Sequence, residues 1–181
     1  MSNRKRLEKA AIALAAAGVS VVPCSAKDKR PTVRWKAYQD RIAQEPTIRK
    51  WFERAGATAV AVVCGKVSGN LEVIDFDYVD HWQDWIDSVK NKDRALLEKV
   101  CLARSKSGGY HVFYRCPDPA GNQKLAMGMR VDRKDSSATE PTRQTMIETR
   151  GEGGYVLVSP TEGYKVIFGG LLKLEVLTQE E

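Results

Sequence analysis

Apolar side chains recur along this chain at two spacings, and the change from one to the other marks out its elements. Leu7, Ala10, Ala11, Leu14 and Ala17 stand three or four apart, which predicts a helix over residues 7–17 that Gly18 ends. Residues 19–23 follow as a short unbroken apolar run, the pattern of a buried strand. Beyond Pro46, Ile48, Trp51 and Phe52 share one helical face, with Thr47 as the expected cap. Residues 57–64 form a second apolar strand. Gly65 and Ser68-Gly69-Asn70 then make a turn, so residues 71–78 are expected to return on it as a hairpin. Trp82, Trp85, Ile86 and Val89 give one amphipathic helix over residues 81–100. Residues 110–115 and 145–150 read as strands, and residues 155–159 are expected to pair back on the latter across Gly151-Glu152-Gly153-Gly154. Residues 117–143 show no clear period. They are expected to be a long mobile connection carrying Lys124, Arg130, Arg133 and Lys134.

Short strands alternating with helices, and glycine turns at 65–70 and 151–154, argue for an α+β fold with a mostly antiparallel or mixed sheet. There is no internal repeat and no low-complexity tract. The 181 residues suffice for one substantial core or two small subdomains, and 43% hydrophobic with 29% charged content is that of a globular protein. A net charge of +6 favours a polyanionic partner. No stretch approaches the roughly 20 apolar residues of a membrane span. Residues 1–22 superficially resemble a secretory leader, but Glu8 and Lys9 interrupt the apolar run, and the alanines suit a helix. Cys24, Cys64, Cys101 and Cys116 form no CxxC pair, and His81 and His111 are the only histidines. Reduced, buried thiols in a cytoplasmic protein are therefore expected rather than a structural zinc site. Residues 171–181 read as a partial helix without a stop signal, as the end of a leading domain would.

The candidate chemistry begins at Leu71-Glu72-Val73-Ile74-Asp75-Phe76-Asp77-Tyr78. Side chains on a strand alternate between faces, so Asp75 and Asp77 point one way and Phe76 the other. Two such carboxylates repel each other unless a cation sits between them. The strand alone leaves two readings open, a divalent metal site or a solvated acidic turn. His111 and the pair Glu148 and Arg150 end two further strands. If those strands are neighbours, three carboxylates converge beside a histidine and several cations, the arrangement that holds two divalent ions in nucleotidyl transfer and in nucleases. Backbone amides at Ser107-Gly108-Gly109 suit a phosphate cradle. The 27–36 loop has five basic side chains against one acid, and its Lys29 is a phosphate candidate beside the plainer reading of a solvated face. Each of these signals is weak alone; their order and strand placement carry more.

Taken together, Pro23, Lys29-x-Pro31 and Trp35, then IDFD, SGGYH and IETRGEGGYVLVSP, resemble the N-terminal domain of bifunctional DNA primase–polymerases, in the archaeo-eukaryotic primase superfamily. The resemblance runs from about residue 7 to 164. It implies a catalytic core with an RRM-like sheet, about residues 66–165, packed with a small N-terminal α/β unit, about residues 1–65, in one domain to about residue 170. It further implies priming and extension on a single-stranded DNA template, with dNTPs or NTPs as substrates and two Mg²⁺ or Mn²⁺ ions as cofactors. Such domains occur in phage and plasmid replication proteins, often fused to a helicase. Asp75, Asp77 and Glu148 match the family's metal-binding acids, and His111 its phosphate-binding histidine. Ser107, Gly108, Gly109, Arg150 and Lys29 complete the expected nucleotide site. The third acid is often aspartate in relatives, residues 117–143 are longer than the pattern requires, and the zinc-stem cysteines of some relatives are missing. A metal-dependent nuclease and a non-catalytic single-strand-binding module are the competing readings.

Overall fold

The computed structural model describes residues 1–54, 56–131 and 137–181. Helix α1 (Asn3–Ala16), strand β1 (Val21–Cys24), helix α2 (Glu45–Phe52) and strand β2 (Ala59–Val63) come first. Strand β3 (Leu71–Phe76), helices α3 (Val79–Lys92) and α4 (Leu96–Lys99), and strands β4 (Cys101–Arg104) and β5 (Tyr110–Arg115) follow. The chain then forms strands β6 (Lys124–Val131), β7 (Pro141–Arg150), β8 (Tyr155–Leu157) and β9 (Lys165–Phe168). These strands make two sheets, one ordered β1-β2-β8 and the other β6-β7-β3-β5-β4-β9, with every named pair antiparallel. Within the larger sheet, the path β3-α3-β4-β5-β7 gives the spatial order β7-β3-β5-β4. That is the order of an RRM-like core, with β6 taking the place of its second helix.

Alternation explains why β3 sits at the centre. Leu71 and Val73 face the core shared with Leu7 of α1, Ile48 and Phe52 of α2, and Val60 and Val62 of β2. Ile74 and Phe76 face the opposite way, onto Trp82 and Ile86 of α3. A strand covered on both faces needs the near-continuous apolar run that this stretch has. Glu8 on α1 is 5% exposed and bridges the two first helices, 2.9 Å from Arg49 and 3.0 Å from Lys5.

The structure departs from the sequence reading at several elements. Helix α1 starts at Asn3 because Ser2 caps it, accepting the Lys5 N–H. Helix α2 starts at Glu45 with Gln44 as its cap residue, so Thr47 lies inside the helix and caps nothing. The 65–70 turn does not close a hairpin: β2 and β3 belong to different sheets and are joined there by the single bridge between Gly65 and Leu71. Positive φ at Gly65, Gly69 and Asn70 lets the chain change sheets in so few residues. The 81–100 helix breaks after Lys92, where Asp93 turns out of helical geometry and its carboxylate accepts the Leu96 N–H at 3.2 Å. Strand β8 pairs with β2 and not with β7. Part of the expected 117–143 connection is β6 and the start of β7, which pair antiparallel; Arg133 and Lys134 lie outside the described residues. Strands β4 and β9 were not foreseen. The tail makes one 3₁₀ turn, Leu171–Lys173, and then runs beside β5, where the Leu177 N–H meets the Arg115 carbonyl at 2.8 Å. No helix among the described residues is long and apolar enough to cross a membrane.

Candidate active site

Strand register brings the separated motifs together. Asp75 lies directly opposite His111 of β5 on one side and Glu148 of β7 on the other. Residues opposite each other in an antiparallel pair share a face, so Glu148, Asp75 and His111 form one row across three strands. Val73 and Phe113, on that same face, belong to the core against the small sheet. The row therefore stands where that core ends and a cleft opens between the two sheets. Arg150 is one step back, opposite Val73.

Each carboxylate of the row has a nitrogen partner. The Asp75 Oδ1 lies 3.4 Å from the His111 Nε2, and Arg150 pairs with Glu148. Burial works to raise the Asp75 pKa, but the His111 hydrogen bond and charge, then Arg150 and Lys29, outweigh it and hold the carboxyl below its ordinary range. Glu148 goes the opposite way. Burial pushes its carboxyl up and Arg150 pulls it down, while the charges of Asp75 and Asp77 add to the rise. His111 is 5% exposed, and its Nδ1 has no hydrogen-bond partner.

A cavity of about 250 Å³ opens over the Asp75 and His111 end of this row, lined by Asp75, His111, Arg150 and Lys29 together with Trp35, Asn122, Tyr155 and Tyr164. Lys29 reaches it from the basic loop with φ 63°, a conformation fixed by its N–H donating to the Ser25 carbonyl at 2.9 Å. The remaining predicted residues do not line the cavity. Asp77 sits one residue past β3, its N–H donating to the Met146 carbonyl at 3.0 Å. Ser107-Gly108-Gly109 closes the β4–β5 hairpin, in which the Ser105 N–H meets the Gly109 carbonyl at 2.8 Å. The Gly108 N–H is already donated inside that turn, to the Ser105 carbonyl at 3.1 Å. A Cβ on Gly109 would lie 2.2 Å from the Phe76 carbonyl oxygen and 3.3 Å from the Asp77 Cα. The turn is thus wedged against the end of β3, and Glu148 links this group electrostatically to the cavity group.

Sequence reasoning missed four cavity residues. Trp35 and Tyr155 meet edge to face at 4.9 Å, and the Tyr164 ring is 6.0 Å from that of His111. Burial, with Asp75 adding to it, pushes the Tyr164 hydroxyl up to about 12. Trp35 and Tyr155 adjoin the basic loop and the glycine turn in sequence, which is a usable signal. Only the β2–β8 pairing brings them together. Asn122 and the 151–154 loop meet through close backbone packing: the Glu152 N–H donates to the Ala120 carbonyl at 2.6 Å, and a Cβ on Gly151 would overlap that same oxygen. Gln39 fastens the loop from the other side, its Nε2 donating to the Gly153 carbonyl at 3.0 Å.

Among the described residues, no three His, Cys, Asp or Glu side chains are grouped closely enough to hold a metal ion. His111 and Arg150 occupy the carboxylates instead. The donor chemistry nevertheless suits a hard divalent cation, since Asp75, Asp77 and Glu148 offer only oxygens.

The family model of the bifunctional DNA primase/polymerase N-terminal domain matches residues 11–169 of the chain. No curated protein matches it. The chain belongs to the bifunctional DNA primase/polymerase N-terminal family. Membership supports an activity of the DNA primase/polymerase type, with DNA and nucleotides as substrates, and primases of this family generally use divalent metals.

Proposed function

We propose that this primase/polymerase-family domain synthesises and extends primers on a single-stranded DNA template, with the Glu148–Asp75–His111 row as its reacting centre. The observation that carries the reading is the register that sets Asp75 opposite both His111 and Glu148. Asp75, Asp77 and Glu148 would hold two Mg²⁺ or Mn²⁺ ions, which when bound lower the pKa of the attacking 3′-hydroxyl and neutralise the triphosphate. His111 and Arg150 serve the phosphates of a dNTP or NTP. Both are cations or donors now engaged by carboxylates, and an incoming triphosphate offers them a stronger anion. Releasing Glu148 from Arg150 then frees an oxygen donor at the moment the substrate arrives. Lys29 adds a third phosphate contact from the far wall of the cavity. The wedged Ser107–Gly109 turn fixes the end of β3 and so the direction of Asp77, and the Ser107 hydroxyl, now 3.2 Å from the Ser105 hydroxyl, turns to a phosphate oxygen. Trp35 and Tyr155 give the sugar and base an aromatic wall.

The division into an N-terminal unit of about residues 1–65 and a core of about residues 66–165 goes with this reading. So does a place in a cytoplasmic replication protein of a phage or plasmid, working with a helicase. The test incubates the protein with a primed single-stranded template, Mn²⁺ and labelled nucleotides. Template-dependent lengthening is the expected result. Shortening of the DNA without incorporation would establish the nuclease alternative, and DNA binding with neither product would establish a binding module.

A further inference from the structure

Strand β6 bears an exposed apolar stripe that the reaction does not use. Leu125, Met127, Met129 and Val131 alternate along it and are 52%, 37%, 63% and 40% exposed. The stripe lies on the reacting face of the sheet. Glu148 belongs to that face, and Ile147 turns away from it to pack on the α3 aromatic cluster. Met146 turns away as well: it is 1% exposed and packs on Gly128, which pairs with Gln144, and Gln144 accepts the Tyr78 hydroxyl at 2.8 Å beside α3. Two successive residues on one face make a bulge, and the register shifts there. Thr145 and Arg143 therefore return to the Glu148 side, and they pair with Met127 and Met129. The Thr145 Oγ1 lies 3.4 Å from the Met127 sulfur, on the same side.

We propose that this face of the β6–β7 hairpin is the docking surface for the primer–template duplex leaving the reacting centre. The inference rests on the function proposed above. Three features select a duplex. The stripe continues the Glu148 face outward, so a product growing from that row runs along it. Its apolar side chains suit the sugar edges of a minor groove and read no sequence, and methionine adapts to whichever step lies beneath it. Lys124, opposite Glu148, and Arg143 flank the stripe for the two phosphate backbones. Self-pairing of two copies through β6 is disfavoured, because this strand has Lys124 and Arg130 and no acid to set against them.

The experiment measures fluorescence anisotropy of a labelled primer–template duplex, without nucleotide or metal, on the whole protein. Met127→Ser with Met129→Ser removes the apolar surface that the duplex would cover, without adding charge, and is expected to weaken duplex binding at least about tenfold. Met127→Leu with Met129→Leu should restore it, and Leu172→Ser, 53% exposed on another surface, should leave it unchanged. Duplex affinity equal to wild type in the double serine variant overturns the proposal. So does a wild-type dimer that the serine variant dissociates while its DNA affinity is unchanged. Extension assays keep the two claims apart: weakened duplex binding with no incorporation by wild type would uphold the surface and sink the reaction.

Discussion

The adjacent glycines of the β4–β5 turn are required for different physical reasons, and two alanine variants should separate them. Gly108 has φ 90°, with nothing within 4 Å of the place a Cβ would occupy. Gly108→Ala therefore carries only the strain of a left-handed backbone, about 1 kcal/mol. Gly109 lacks that constraint, but its Cβ would lie 2.2 Å from the Phe76 carbonyl oxygen, inside the 3.0 Å that such contacts respect. Either the turn or the end of β3 must move by most of an ångström. Because Phe76 precedes Asp77, that displacement reaches the carboxylate. Overpacking of this kind costs about 1–3 kcal/mol, and an ångström of misplacement at a reacting group costs up to about a hundredfold in rate. Both variants should melt lower by a few degrees, while primer extension falls about tenfold or more in Gly109→Ala alone. Thermal melts and steady-state extension at saturating nucleotide provide the comparison. Equal loss of activity in the two variants would refute the wedge argument, as would full activity in Gly109→Ala.

Two further predictions test the scaffold. Glu72 is 6% exposed and accepts the Tyr114 hydroxyl at 2.7 Å and the Ala120 N–H at 2.9 Å; Glu72→Met leaves both donors without an acceptor and should cost about 1–3 kcal/mol, read as a lower urea midpoint with an unchanged m-value. Burial pushes the Cys24 thiol up to about 12, with Asp28 adding to it, and Cys101 up to about 11; Cys64 is raised as well. A raised thiol pKa means the protonated, unreactive form at pH 8, so native protein should show one slow thiol towards a disulfide reagent, the half-buried Cys116, and four after unfolding. Several fast native thiols would contradict the packing of β1, β2 and β4.

Local chemistry was legible in the sequence where a residue's role is set by its own strand. The alternation of Asp75 and Phe76 assigned their faces correctly, and the apolar runs of β1, β2, β3 and β5 located buried strands. Pairing was not legible. Glycine turns at 65–70 and 151–154 look like hairpins, yet both carry the chain from one sheet to the other, and nothing local distinguishes those outcomes. Strand β6 was missed because an edge strand with one exposed face mixes Leu125, Met127 and Met129 with Lys124 and Arg130, which blurs the period. The cavity residues Trp35, Asn122, Tyr155 and Tyr164 come from four segments, so their convergence is a property of the tertiary fold alone.

The central claim is that the carboxylates aligned across β7 and β3 perform the transfer. It is tested most directly by primer extension with Asp75→Asn and Glu148→Gln, alongside melting curves and duplex binding for each variant. The account predicts folded proteins that bind the duplex as wild type does and extend it about a hundredfold more slowly or worse. Extension by either variant at a rate near that of wild type would contradict it.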